Sequence, residues 1–227
     1  MCAMSKKNLS IILLAGGLGT RMGNSTPKQF LPLSGKPLAL YSFDFFTHID
    51  LPIQEIVVVC EPKYQPLFTH PLYKILFADP GTTRQYSVMH GFEALSQNTD
   101  FIMIHDSARP FLQEQDVKNL FEETLEIGAA TLAYPISTTI KQTNTENIVT
   151  CTLDRNFLWE IQTPQCLKSS LLKSGFKKIL KENLLVTDDV SLAELQNHPV
   201  KILKSSPQNF KITTPLDLKL AEVIING

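Results

Sequence analysis

An apolar run, Ile11 to Leu14, breaks abruptly into glycines at 16, 17 and 19, and this feature constrains the fold of the 227-residue chain most tightly. Four consecutive aliphatic residues closed by a turn signal read as a buried strand. Glycines let the backbone approach a ligand where a Cβ would block it, and successive free N–H groups make an anion-binding concavity. Arg21 follows and, after a polar loop, Pro27-Lys28, adding two positive charges to that concavity. Read locally, the stretch is a polyphosphate cradle or a glycine-rich βα turn with two solvated cations. It is not a P-loop, because Thr20-Arg21 follows Gly19 where that motif needs Lys-Ser/Thr. It is not a dinucleotide fingerprint either, because Met22 stands where the third glycine belongs.

Apolar runs alternate with amphipathic segments to the end of the chain, which predicts βαβ units and a mostly parallel, Rossmann-like α/β sheet flanked by helices. Expected strands are Ile11–Leu14, Ile56–Val59, Ile75–Phe77, Phe101–Ile104, Ala129–Tyr134, Val200–Leu203 and Phe210–Ile212. Expected helices are Pro37–Phe46, Arg84–Leu95, Asp116–Ile127 stopped by Gly128, Gln165–Leu180, a segment capped by Thr187 that runs to Leu195, and a last helix opened by Thr214-Pro215-x-Asp217. Residues 136–160 break the alternation. They are rich in Thr and Asn, with strand character at Ile148–Leu153, and read as an extended hairpin-like arm leaving the sheet, since a structureless loop of that length is uncommon in a compact domain. The whole of 1–227 reads as one domain carrying that arm.

A formal net charge of −1 argues against a nucleic-acid partner, which would need a clustered basic face, so any positive potential must be local to a pocket. The four cysteines (2, 60, 151 and 166) show no C-x-x-C spacing and are too few for a disulfide scaffold, and Cys60 reads as a buried small hydrophobe. The polar start of the chain and the early glycine break leave no signal h-region or membrane span, so the expectation is a cytoplasmic, reduced protein.

Ligands of open α/β sheets lie beyond the carboxyl ends of the strands. The polar residues following each expected strand would crowd one rim: Gly16, Gly17, Gly19, Arg21 and Lys28; Gly81, Thr82 and Arg84 leading to Ser87; His105 to Pro110; Ser137 to Thr139; and Asn209, Lys211 and Thr213. Asp106, at the end of a strand, reads as an oxygen ligand for Mg2+ beside a triphosphate or as a cap for the next segment. His105 reads as a packing or local hydrogen-bonding group rather than a base.

The first loop, followed by Gly35-Lys36-Pro37, is similar to that of nucleotidyltransferases that activate phosphorylated small molecules. Behind AGGLGTRM at 15 and PKQ at 27 come HDSARP at 105, DRN at 154, TPQ at 163, TDD at 187 and NFKIT at 209. In this order, over nearly the whole chain, they resemble the 2-C-methyl-D-erythritol 4-phosphate cytidylyltransferases of the non-mevalonate isoprenoid pathway. The resemblance implies transfer of CMP from CTP to a polyol phosphate with Mg2+ held by Asp106. It implies that Arg21 and Lys28 grip the triphosphate, and that Ala15, Gly16, Gly17, Gly81 and Ser87 form the cytosine and ribose pocket. It implies that Arg109, Thr139, Arg155, Thr163, Thr187 and Lys211 hold methylerythritol phosphate, with Arg155 and Lys211 orienting the attacking phosphate. In the family the arm swaps across a homodimer, which suits segment 136–160. The chain departs from relatives at Thr82 and Thr83, where Gly or acidic residues are frequent, and at Gln208, where some carry an acid. Two other readings stay open: a ribitol- or other polyol-phosphate cytidylyltransferase, and a non-catalytic nucleotide-sensing domain.

Overall fold

The first strand, β1 (Leu9–Leu14), is buried at every position and pairs in parallel on both sides, with β4 (Ile53–Val59) and β6 (Phe101–Asp106). Its side chains alternate between two cores: Ile11 and Leu13 on one face of the sheet, Ile12 and Leu14 on the other. From Ile11 to Leu14 the strand is covered on both faces, so the apolar run is continuous rather than alternating. These relationships come from a computed structural model that describes residues 7–17, 26–96 and 99–227.

Between β1 and β4 lie a two-residue ribbon, β2 (Pro32–Leu33) with β3 (Lys36–Pro37), and helix α1 (Leu38–His48). β5 (Lys74–Ala78) and α2 (Arg84–Ala94) precede β6; α3 (Glu114–Ile127) and β7 (Ala129–Pro135) follow it. Then come β8 (Ile140–Thr143), β9 (Val149–Leu153), β10 (Trp159–Lys168), α4 (Ser169–Glu182), α5 (Ser191–Glu194), β11 (Lys201–Lys204) and α6 (Pro215–Asn226). The main sheet has the order β11-β7-β10-β6-β1-β4-β5. Only β10 runs against its neighbours. The other six strands therefore deliver their carboxyl ends to one rim, and β10 brings its early residues to the same rim.

α1 and α3 cover one face through Phe43, Phe46, Val117, Leu120 and Phe121; α2 and α4 cover the other through Val88, Leu172, Phe176 and Ile179. Each such side chain contributes about 1.5–3 kcal/mol when fully buried. α3 ends where expected, with Gly128 at φ 99° and its N–H on Thr124 O. The capping box predicted for α6 is formed by Thr214 and Asp217. Cys60 lies wholly inside the core, as read from the sequence. Among the described residues, no helix is long and apolar enough to cross a membrane.

Three expectations need correction. Gln165–Lys168 belong to strand β10, not to a helix, which begins only at Ser169. Pairing with β6 and β7 on both sides outweighs local propensity there, and Pro164, after a cis peptide bond, obscures the strand's continuity. Phe210–Ile212 form no strand; the segment is held by one main-chain bond, Ile212 N to Ala108 O at 2.9 Å. Thr187 caps nothing: it lies in an exposed bend, and Asp188 Oδ1 instead accepts from Ser191 N at 3.2 Å beneath the four-residue α5.

Residues 136–158 leave the sheet, whereas Trp159 and Glu160, expected in the arm, already pair with β7 as the start of β10. β8 and β9 pair only with each other, and the turn between them is tied by Asn144 Oδ1, which accepts from the N–H groups of Glu146 and Ile148. The hairpin exposes Ile148, Val149, Leu153 and Phe157, the last at 81%.

Candidate active site

At the common rim lies a cavity of about 630 Å³, in the size range of small-molecule sites. Gly16, Gly17, Lys28, Gly81, Ser87, Asp106 and Lys211, all singled out in the sequence, line it together with Glu61, Thr82, Thr83 and Arg84. β1 leads into it: Ala15 continues the ladder by donating to Val59 O at 2.9 Å and is itself fully buried. Gly16 is required by the neighbouring turn, since a Cβ there would sit 2.3 Å from Pro80 Cγ. Gly81 is similarly enclosed, 2.5 Å from Tyr86 Cβ, and its N–H donates to Ser87 Oγ at 3.0 Å. Ser87 Oγ donates in turn to Thr83 O, so this hydroxyl ties the loop over the cavity to the first turn of α2.

The charged groups form an ordered array. Lys211 Nζ donates to Asp106 Oδ2 at 2.6 Å, and Arg84 Nε donates to Asp106 Oδ1 at 3.1 Å. The two Nη groups of Arg84 donate to the two oxygens of Asp189, both at 2.7 Å. Burial alone would raise the Asp106 carboxyl, but Arg84 and Lys211 outweigh it and hold the group well below the usual carboxylate range. Burial would likewise lower Arg84, and its two carboxylate partners drive it above its ordinary value instead. Asp106 is therefore ionised and Arg84 protonated. Burial also pushes the Asp189 carboxyl upward, against the pull of Arg84. Lys28, 8% exposed, donates from Nζ to Ile212 O at 2.7 Å and so ties the glycine side of the cavity to the Lys211 segment.

Thr163 and Arg109 stand behind this array. Thr163 Oγ1 accepts from Asp106 N and pairs with His105 Nδ1, each at 3.0 Å, which fixes the end of β6 against β10. Arg109 donates from Nη1 to Asn209 O at 2.7 Å, and its buried Nε has no hydrogen-bond partner among the described residues. His105 is fully buried; its other ring nitrogen faces Ser42 Oγ and Arg109 O, and burial pulls its pKa down to about 3. Both nitrogens are occupied inside the protein, so the ring is a neutral structural link. Thr139, Arg155 and Thr187 are exposed and absent from the cavity wall; Arg155 Nη1 donates to Ser137 O within the arm. Arg21 lies outside the described residues.

Sequence reasoning put Arg84 on this rim without a role and assigned Asp189 none at the site. A cation opening a helix just past Gly81 was the available signal for Arg84. Its partner lies 105 residues away, where no local pattern reaches.

The described residues contain no group of three or more His, Cys, Asp or Glu side chains fit to cage a metal. The donor set still suits a hard cation that keeps its waters and takes substrate phosphates, because such an ion needs only one or two protein carboxylates. Asp106 is one, ionised and on the cavity wall.

Residues 9–227 match the family model IspD, 2-C-methyl-D-erythritol 4-phosphate cytidylyltransferase. The chain is 43% identical over 228 residues to the chloroplastic 2-C-methyl-D-erythritol 4-phosphate cytidylyltransferase of Oryza sativa subsp. japonica, covering 99% of this chain and 76% of that protein. It is 40% identical over 216 residues to the enzyme of the same name from Chlamydia pneumoniae, covering 95% and 98% of the two. The crystal structure of 4-diphosphocytidyl-2C-methyl-D-erythritol synthase from Anaerococcus prevotii superposes with a TM-score of 0.86 at 25% identity, over 98% of this chain and all of that one. The chain belongs to the 2-C-methyl-D-erythritol 4-phosphate cytidylyltransferase family.

Proposed function

We propose that the chain transfers CMP from CTP to 2-C-methyl-D-erythritol 4-phosphate, giving 4-diphosphocytidyl-2-C-methyl-D-erythritol and pyrophosphate. The observation that carries this is the convergence of Lys28, Arg84, Asp106 and Lys211 on one cavity at the strand ends, in a chain matched over 9–227 by that family's model. The nucleophile is a phosphate monoester with a second pKa of about 6, so it is largely ionised at neutral pH and needs no base. That agrees with a site whose one histidine is buried and fully bonded. An oxygen of this phosphate attacks the α-phosphorus of CTP; the bond to the bridging oxygen breaks, and its electron pair leaves with pyrophosphate. The work of the protein is to align two polyanions and offset their repulsion. Arg21 and Lys28 grip the triphosphate, while Lys211 and Arg155 aim the attacking phosphate. Ala15, Gly16, Gly17, Gly81 and Ser87 shape the nucleoside side, and Arg109, Thr139, Thr163 and Thr187 the acceptor side. Mg2+, held by Asp106 together with phosphate oxygens and water, would offset charge on the leaving pyrophosphate.

The exposed position of Thr139 and Arg155 supports a homodimer in which each arm completes its partner's cavity. The working compartment in this reading is the cytoplasm. The test is pyrophosphate release with CTP and either methylerythritol phosphate or ribitol phosphate, side by side. Turnover confined to the first acceptor is expected. Preference for the second would make this a different polyol-phosphate cytidylyltransferase, and CTP binding without pyrophosphate release from any acceptor would make it a nucleotide sensor.

A further inference from the structure

The array at the rim has two unlike ends. At one, Lys211 is ion-paired, among the described residues, with Asp106 alone, and its side chain is 33% exposed. At the other, Asp189 is 3% exposed and takes both Nη groups of Arg84. Asp189 is itself held from behind: Gln165 Oε1 accepts from Asp189 N at 2.7 Å and from Val190 N at 2.9 Å, and Gln165 Nε2 donates to Gln162 O on the same strand. The pinned end is Asp189, and the exchangeable end is Lys211.

An arginine beside one carboxylate favours a two-pronged pairing that engages both oxygens. Arg84 does not treat Asp106 this way; it gives Asp106 one hydrogen bond, from Nε to Oδ1, because its fork is already on Asp189. Oδ2 is thereby left to the exposed, exchangeable Lys211.

We infer that Asp189 is a positioning residue for the metal–nucleotide end of the site: by occupying the fork of Arg84 it keeps one oxygen of Asp106 exchangeable, so that a magnesium-bound triphosphate can replace Lys211 there. Lys211 is released toward phosphate in the exchange, and Arg84 stays in place. With the Asp189 charge gone, Arg84 closes its fork on Asp106 and competes with the cation. The inference rests on reading the cavity as the CTP site.

The test is calorimetric titration of CTP into the intact protein, with magnesium and with EDTA in its place. The parent protein binds CTP more tightly with magnesium. Asp189→Asn loses about tenfold or more of that gain, the usual consequence of removing a group that orients a metal ligand, while binding in EDTA changes little. Arg84→Lys keeps the charge without the fork, so it cannot close on Asp106 and retains the parental gain; a lost gain there would overturn the inference, and this variant carries the test if the first fails to fold. The double variant recovers the gain that Asp189→Asn loses, because the competing fork is gone; such non-additivity marks the two residues as one unit. Equal weakening with and without magnesium in Asp189→Asn would reduce Asp189 to a structural role and overturn the inference, as would an undiminished gain there or a double variant that recovers none of it. Failure of the parent protein to bind CTP would instead sink the functional reading.

Discussion

Lys28 and His105 show how burial sorts charged groups at this rim. Lys28 is nearly buried yet lines the cavity, and its ammonium donates to Ile212 O where little water screens it. Lys28→Ala should lower kcat by about 10²- to 10³-fold, as for removal of one donor to the transition state, with circular dichroism confirming the fold. Near-normal turnover would exclude it from the chemistry. His105 behaves in the opposite way. Its folded-state value lies below its ordinary one, so the unfolded chain takes up a proton first. The stability it contributes is complete above about 6.5 and drains away as pH falls from there toward about 3. Ring nitrogen shifts measured by NMR at pH 5 should report a neutral imidazole; a protonated ring at that pH would mean the buried network has been misread. Cys60 and Cys166, whose thiols burial pushes up to about 12, remain protonated and inert across the same range.

Among the elements, the glycine turn after β1 and the loop before α2 are matched surfaces. Gly16 admits Pro80, Gly81 admits Tyr86, and Ser87 closes the loop on itself. The glycines nearest the cavity thus let one loop pack closely against another. Gly16→Ala drives a methyl group into a rigid pyrrolidine ring, and overpacking of this kind costs roughly 1–3 kcal/mol. Thermal denaturation should register that loss, and CTP affinity should fall with it, because Pro80 and Gly81 line the cavity. A variant with parental stability and affinity would show that the loop yields freely. β10 has a comparable role on the other side: running against its neighbours, it carries Thr163 to the end of β6, where the hydroxyl receives the Asp106 N–H.

Across the whole molecule, a formal charge of −1 leaves little long-range field, while Lys28, Arg84 and Lys211 are gathered at one cavity, where the proposed function needs positive charge. The same chain holds Thr139 and Arg155 out on a hairpin paired with nothing else in the fold. If the arm serves a partner, Lys28→Ala and Arg155→Ala variants, unfolded and refolded together, should regain activity. One of the two sites in each mixed dimer then has both residues intact, giving roughly a quarter of parental turnover for random pairing in a two-fold dimer. An arm that serves its own chain would leave every site with a lesion and restore nothing.

By itself the sequence determined the layered α/β architecture, the glycine turn at the strand end, the excursion that begins at 136 and the capping box of α6. All of these follow from periodicity and turn chemistry acting over a few residues. Its ordered motifs also pointed to the family. Only the tertiary structure decided that Gln165–Lys168 extend a strand, that 210–212 stay irregular, and that Arg84 turns its fork to Asp189 rather than Asp106. Those outcomes depend on ladder partners and countercharges from distant parts of the chain, whose pairing energies exceed the local preferences a sequence displays.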